Sequence, residues 1–180
     1  MPASERRYDI ALRVRTIAQL FNSLDPSPFR ERDLDVHAEE FLVGWARELP
    51  HGAPFTIVVE LPPEEAARPE AAGIAEAVAN YFHNRAQASD RDLRELFRVG
   101  WRSLAIGLAV LVVCLIGSQL VAKMIGNAVV ARVLEESLII VGWVANWRPL
   151  EIYLYDWWPI RRRIQLYRRI AAAPVKVQSS

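Results

Sequence analysis

The chain has 180 residues, a net charge of +1 and 52% hydrophobic residues. So even a charge balance excludes a polyelectrolyte surface for nucleic acid, and the single cysteine, Cys114, excludes an intrachain disulfide. The apolar excess sits in residues 104–158, which predicts a soluble part and a membrane part.

The opening stretch, "MPASERRYDIALRVRTI", has no apolar core after its charges, so it is not a secretory signal and the N-terminal region is expected to stay in the cytoplasm. Within residues 8–17, Ile10, Leu12 and Val14 alternate with Arg13 and Arg15, the pattern of a half-buried strand. Asp25-Pro26 and Ser27-Pro28 then impose a loop. Residues 34–49 read as a helix, with Leu34, Ala38, Phe41, Leu42, Trp45 and Leu49 on one stripe. Asp33 or Asp35 can cap its start, and Glu39 and Glu40 sit where the helix dipole favours negative charge. "PFTIVVEL", 54–61, is a buried strand candidate. Pro62-Pro63 opens a second helix with the stripe Ala71, Ile74, Ala75, Val78, Tyr81 and Phe82, and Ser89 with Asp92 starts a new helical phase. Strand, helix, strand, helix predicts a small α/β domain of βαβα order over residues 1–90. Two strands make a thin sheet, which predicts oligomerisation or packing against something else.

Residues 104–122 carry no charge and reach about 28 Å as a helix, close to a bilayer's hydrocarbon thickness. Residues 137–145, "SLIIVGWVA", are too short to span alone. They extend either backward through Arg132, Glu135 and Glu136 or forward through Asn146, Arg148 and Glu151. The forward extension is preferred, because it leaves Glu135 and Glu136 at the far interface and puts Trp157 and Trp158 in an aromatic belt. The expectation is therefore a two-helix transmembrane hairpin over 91–158, turning near Gly126-Asn127, with a basic cytoplasmic tail over 159–180. Arginines before and after the hairpin outnumber Lys123 and Arg132 between its helices, which places both ends in the cytoplasm.

The interfacial anchors are Trp101, Trp147, Trp157, Trp158, Tyr153 and Tyr155. Arg161, Arg162, Arg163, Arg168 and Arg169 are placed to meet anionic lipid head groups. The stretch "NWRPLEIYLYDWWPIRRR" admits two readings. In one, Pro149 kinks the span and Asn146, Arg148 and Glu151 form an intramembrane polar site. In the other, the span ends near Trp147 and an interfacial helix follows.

Two motifs, "LFNSLDPSPFRERDLD" followed by "AEEFLVGWARELP", and "WRPLEIYLYDWWPIRRR", carry a resemblance. Together they make residues 9–175 similar to a group of small bacterial membrane proteins of unknown function. The resemblance implies a bacterial inner membrane and a soluble-plus-membrane layout, and it brings no catalytic or binding residue with it.

No phosphate-binding glycine loop, HExxH or Cys/His metal spacing is present, so no cofactor, metal or catalytic residue is assigned. Cys114 lies in the apolar run, where a thiol is inert. The expected function is non-enzymatic: a membrane-anchored scaffold or adaptor, or a self-assembling structural component, meeting lipids and either a protein partner or copies of itself. One alternative is a subunit of an oligomeric channel or transporter using Asn146, Arg148 and Glu151. Another is an anchored enzyme built on Asp33, Asp35 and His37 at the acidic helix start, with Glu39 and Glu40 nearby.

Overall fold

The computed structural model describes residues 8–50 and 52–179. Strand β1 (Tyr8–Arg13) turns Ile10 into the core and leaves Asp9, Ala11 and Arg13 exposed, the alternation its sequence requires. Two short 3-10 turns follow, Ile17–Leu20 and Phe29–Glu31. The loop around them is held by Asp25, whose carboxylate accepts from the backbone N–H groups of Ser27 and Asp33. Helix α1 (Val36–Glu48) starts at Asp35, whose side chain accepts from the His37 N–H at 2.9 Å.

Strand β2 (Phe55–Leu61) is followed by helix α2 (Pro63–Ala66), a 3-10 turn over Pro69–Gly73 and the long helix α3 (Ile74–Met124). Helix α4 (Ala128–Val144), helix α5 (Trp147–Glu151), a π turn (Ile152–Asp156) and helix α6 (Trp157–Ala171) lead to strand β3 (Val175–Ser179).

The chain forms two compact units. Met1–Ser89 joins Arg162–Ser180 in one, and Asp90–Arg161 makes the other. In the first, β2 lies between β1 and β3, parallel to both. Phe55, Ile57, Val59 and Leu61 face the helices, and Ile57 and Leu61 are 0% exposed. Leu42 and Ala46 of α1, Ile74, Val78 and Phe82 of α3, and Tyr167 and Ile170 of α6 join them in one core. The opposite face is polar at its edges, with Arg13 paired to Glu60 at 2.7 Å.

This revises several expectations. Residues 162–180, expected as a basic tail, supply the last helix and a third strand of the α/β unit. Ser89 starts no new helix; it is buried in the middle of α3.

The second unit is an insert between β2 and β3, with α4 running antiparallel to α3. Its helices approach closely where side chains are missing. A Cβ on Gly142 would stand 2.8 Å from Leu111 Cδ1, one on Gly107 2.9 Å from the Ala145 carbonyl oxygen, and one on Gly100 2.9 Å from Ile152 Cγ2. Asn127 caps α4 by accepting from the Val129 N–H at 3.1 Å. The expected two-helix transmembrane hairpin does not form. Among the described residues only one helix, α3, is long and apolar enough to cross a membrane. The second segment extends backward, not forward: α4 begins at Ala128, takes in Arg132, Glu135 and Glu136, and stops at Val144. Its uncharged run, 137–144, covers about 12 Å, against roughly 30 Å of hydrocarbon.

Because the α/β unit is closed by residues 162–180, it should survive excision of the insert. Joining residue 89 to residue 162 through a flexible Gly/Ser linker of about ten residues is expected to give a soluble unit that unfolds cooperatively in urea. A chain ending at residue 161, without α6 and β3, is expected to show no cooperative transition by circular dichroism.

Candidate functional site

The structure places polar chemistry in two locations, one in each unit. The first centres on Glu39, in the first turn of α1 and 9% exposed. Position 39 lies one residue past Ala38 on the buried side of the helix, so its carboxylate enters the core rather than meeting water. Arg85, on α3, grips it with Nε to Oε1 at 3.0 Å and Nη2 to Oε1 and Oε2 at 2.8 and 2.9 Å. Tyr81 donates its hydroxyl to Oε2 at 2.6 Å, and Tyr167, from α6, donates to Oε1 at 3.3 Å. The Arg85 guanidinium also lies 5.8 Å from the Tyr81 ring centroid. One carboxylate thereby ties together three helices.

Electrostatics follow from that geometry. Burial, then the hydrogen bond to Glu39 and its charge, push the Tyr81 phenol well above its ordinary range. Burial and the Glu39 charge raise Tyr167 too. Burial works against the Arg85 charge, but the Glu39 carboxylate outweighs it and raises that group above its ordinary value.

The second location is the segment from Asn146 to Arg161 in the insert. Asn146 is buried, and its Nδ2 donates to the Gly107 carbonyl at 3.1 Å and the Gly142 carbonyl at 2.9 Å. Its Oδ1 has no hydrogen-bond donor among the described residues and lies against the Gly107 backbone, where a Cβ would stand 2.7 Å away. A Cα–H contact is what that geometry offers the oxygen. Arg148 Nη1 lies 3.2 Å from both Glu151 Oε2 and Asp156 Oδ2, and Trp147 donates to Glu151 Oε1 at 2.9 Å. These groups bracket the π turn, and Trp157 Nε1 donates to the Tyr153 carbonyl inside it at 2.9 Å. Pro149 and Pro159 flank the turn and bring no N–H to the helix ladder.

The residues predicted as anchors divide. Trp101, Trp147, Tyr155 and Trp158 are exposed. Tyr153 stacks on Phe97 with centroids 6.0 Å apart, and Trp157 lies under Arg161, whose guanidinium is 5.6 Å from the ring centroid. Arg161, Arg162, Arg163 and Arg168 are exposed. Arg169 is not free for a head group: it donates to the Ala53 carbonyl at 3.2 Å and covers the Phe55 ring at 5.7 Å.

Asp33, Asp35 and His37 do not converge. Asp35 is the helix cap, while Glu40 is exposed and Glu39 turns inward. Among the described residues no group of three or more His, Cys, Asp or Glu side chains could hold a metal ion. Sequence reasoning missed the Glu39 cluster. Its one signal was Tyr81 and Arg85, four apart on a helix whose other inward residues are apolar. No family model, curated protein or solved structure matches the chain.

Arg85→Ala strands the Glu39 carboxylate and is expected to cost about 1–3 kcal/mol, less than a fully buried pair because the arginine is half exposed. The double change Glu39→Gln with Arg85→Met, which keeps an acceptor oxygen for one tyrosine and offers an N–H to the hydroxyl oxygen of the other, should cost less than Arg85→Ala alone in urea denaturation. The raised phenol pKa fixes a sign as well. The Tyr81 contribution is complete below about pH 10 and is lost as pH climbs through the higher folded-state value. Phenolate absorbance should show a late component that Tyr81→Phe removes.

Proposed function

We propose that the chain is a membrane-anchored scaffold in a bacterial inner membrane, with the insert holding the α/β unit at the bilayer from its cytoplasmic side. The observation that carries this reading is how the apolar side chains of the insert are exposed. Only 17% of the most apolar stretch of α3 is buried, whereas the core helix of a soluble unit is mostly covered. On α3, Ile106, Leu108, Val112, Val113, Leu115, Ile116 and Leu120 are exposed; at about 100° per residue they fan over half the helix circumference. On α4, Val129, Val130, Val133, Leu134, Ile140, Val141, Trp143 and Val144 do the same on the side away from α3. On α3, the one helix among the described residues long and apolar enough to cross a bilayer, lipid covers such a face along its whole length.

Three further features fit. The chain leaves the α/β unit after Ser89 and returns to it at Arg162, so the apolar insert is tethered to that unit at both of its ends. Trp101, Trp147, Tyr155 and Trp158 are exposed, as residues of an interfacial belt are. Arg91, Arg94, Arg98 and Arg102 precede the apolar run of α3, against the single Lys123 that follows it. The α/β unit supplies the surface offered to a protein partner or to copies of the chain. In its core, Glu39 and Arg85 hold the helices in place, which is a structural task.

Flotation on a density gradient tests the anchoring. The protein is expected to rise with vesicles containing anionic lipid. Ile116→Asp is expected to reduce vesicle partitioning by about 100-fold, from the roughly 2.5–3.5 kcal/mol that a charge costs within the apolar region. Protein that remains in the aqueous fraction without detergent, fully soluble, would overturn the reading.

A further inference from the structure

Among the described residues nothing pairs with the outer edge of β1, and its pattern is self-complementary. Tyr8 donates its N–H to the Pro54 carbonyl at 3.3 Å and Val14 to the Glu60 carbonyl at 3.1 Å, so the even-numbered residues of this strand turn their backbone toward β2. Asp9, Ala11 and Arg13 turn theirs outward, and among the described residues none of those N–H or C=O groups has a hydrogen-bond partner. All three side chains are exposed. An exposed row of unpaired strand groups is a template for another strand.

From this edge we infer that two copies of the chain pair antiparallel through β1, about a two-fold axis at Ala11, joining two three-stranded sheets into one of six strands. That register sets Ala11 against Ala11 of the second copy and Asp9 against its Arg13, in both directions. All three pairs fall on the outward-turned residues, so each exchanges two backbone hydrogen bonds. Opposite charges meet directly on one face of the sheet, the arrangement that cross-strand pairing favours. On the other face Ile10 meets Leu12 and Tyr8 meets Val14, so the half-buried Leu12, Tyr8 and Val14 gain apolar neighbours. A one-residue slip would turn the free backbone groups away from each other and put charged side chains against apolar ones.

The other edge lacks this match. Pro174 gives its carbonyl to the Ile57 N–H at 2.9 Å, so a two-fold on β3 would centre on Val177 and set Lys176 against Gln178, with no charge pair. The pairing inferred for β1 concerns the α/β unit alone and does not depend on the membrane reading.

Mass in detergent by native mass spectrometry tests it on the full chain. The wild type is expected at twice the 20.4 kDa chain mass. Two single variants should shift it to monomer. Ala11→Pro removes an outward N–H at a strand edge, and Asp9→Arg places like charges opposite each other without touching the core. Circular dichroism confirms that each is folded. In a Cys114→Ala background, Ala11→Cys is expected to cross-link into a covalent dimer under mild oxidation. A monomeric wild type would overturn the inference. So would a dimer that survives both single changes and gives no Ala11→Cys cross-link, which would move the contact to β3 or to the insert.

Discussion

Strand β2 is the element on which the α/β unit depends. It is buried along nearly its whole length, and a buried strand cannot leave its backbone groups unpaired. β1 satisfies one side from just before α1. β3 satisfies the other only after the chain has passed through the entire insert. The pairing of β2 with β3 makes an apolar helical insert a loop of the α/β fold, and it fixes both ends of that loop to one compact body. Glu39 reinforces this closure. It binds Tyr81 and Arg85 on the helix that departs and Tyr167 on the helix that returns. Replacing that carboxylate's hydration therefore takes contributions from chain segments far apart in sequence, which gives the fold a large share of long-range contacts.

Local pattern revealed the elements that are decided locally. Alternation of Ile10 and Leu12 with charged neighbours marks β1, the spacing of Ala38, Leu42 and Trp45 marks α1, and the β-branched run after Pro54 marks β2. The third strand was hidden because "VKVQS" is short and follows an arginine-rich segment that resembles a tail. Only the unpaired edge of β2 makes a strand of it. The amphipathic pattern of "RRRIQLYRRI" was visible, but pattern alone does not say what its apolar face covers. Ile164, Tyr167 and Ile170 are buried in protein, and the membrane surface does not receive them.

In the insert, the aromatic residues after Trp143 suggest a forward register for the second helix, but close helix packing sets a backward one. The decisive residues are small. Gly100, Gly107 and Cys114 stand seven apart on α3, and Gly107 and Cys114 meet Asn146 and Gly142. That repeat determines where α4 lies, and α4 then includes Arg132, Glu135 and Glu136 whatever hydropathy prefers. Asn146, read as a candidate polar site, is occupied in bridging two backbones at the contact the glycines allow.

The order of segments along the chain has a consequence for biosynthesis. During synthesis the N-terminal part of the α/β unit emerges first, then the apolar insert, and only afterward α6 and β3. Until those arrive, β2 carries an open edge and Glu39 lacks the Tyr167 hydroxyl. The apolar helix must therefore find its surroundings while the domain beside it is still unfinished. An incomplete sheet with a free edge is the species most exposed to misassembly, so the interval before α6 and β3 close the unit is when this chain most needs a chaperone.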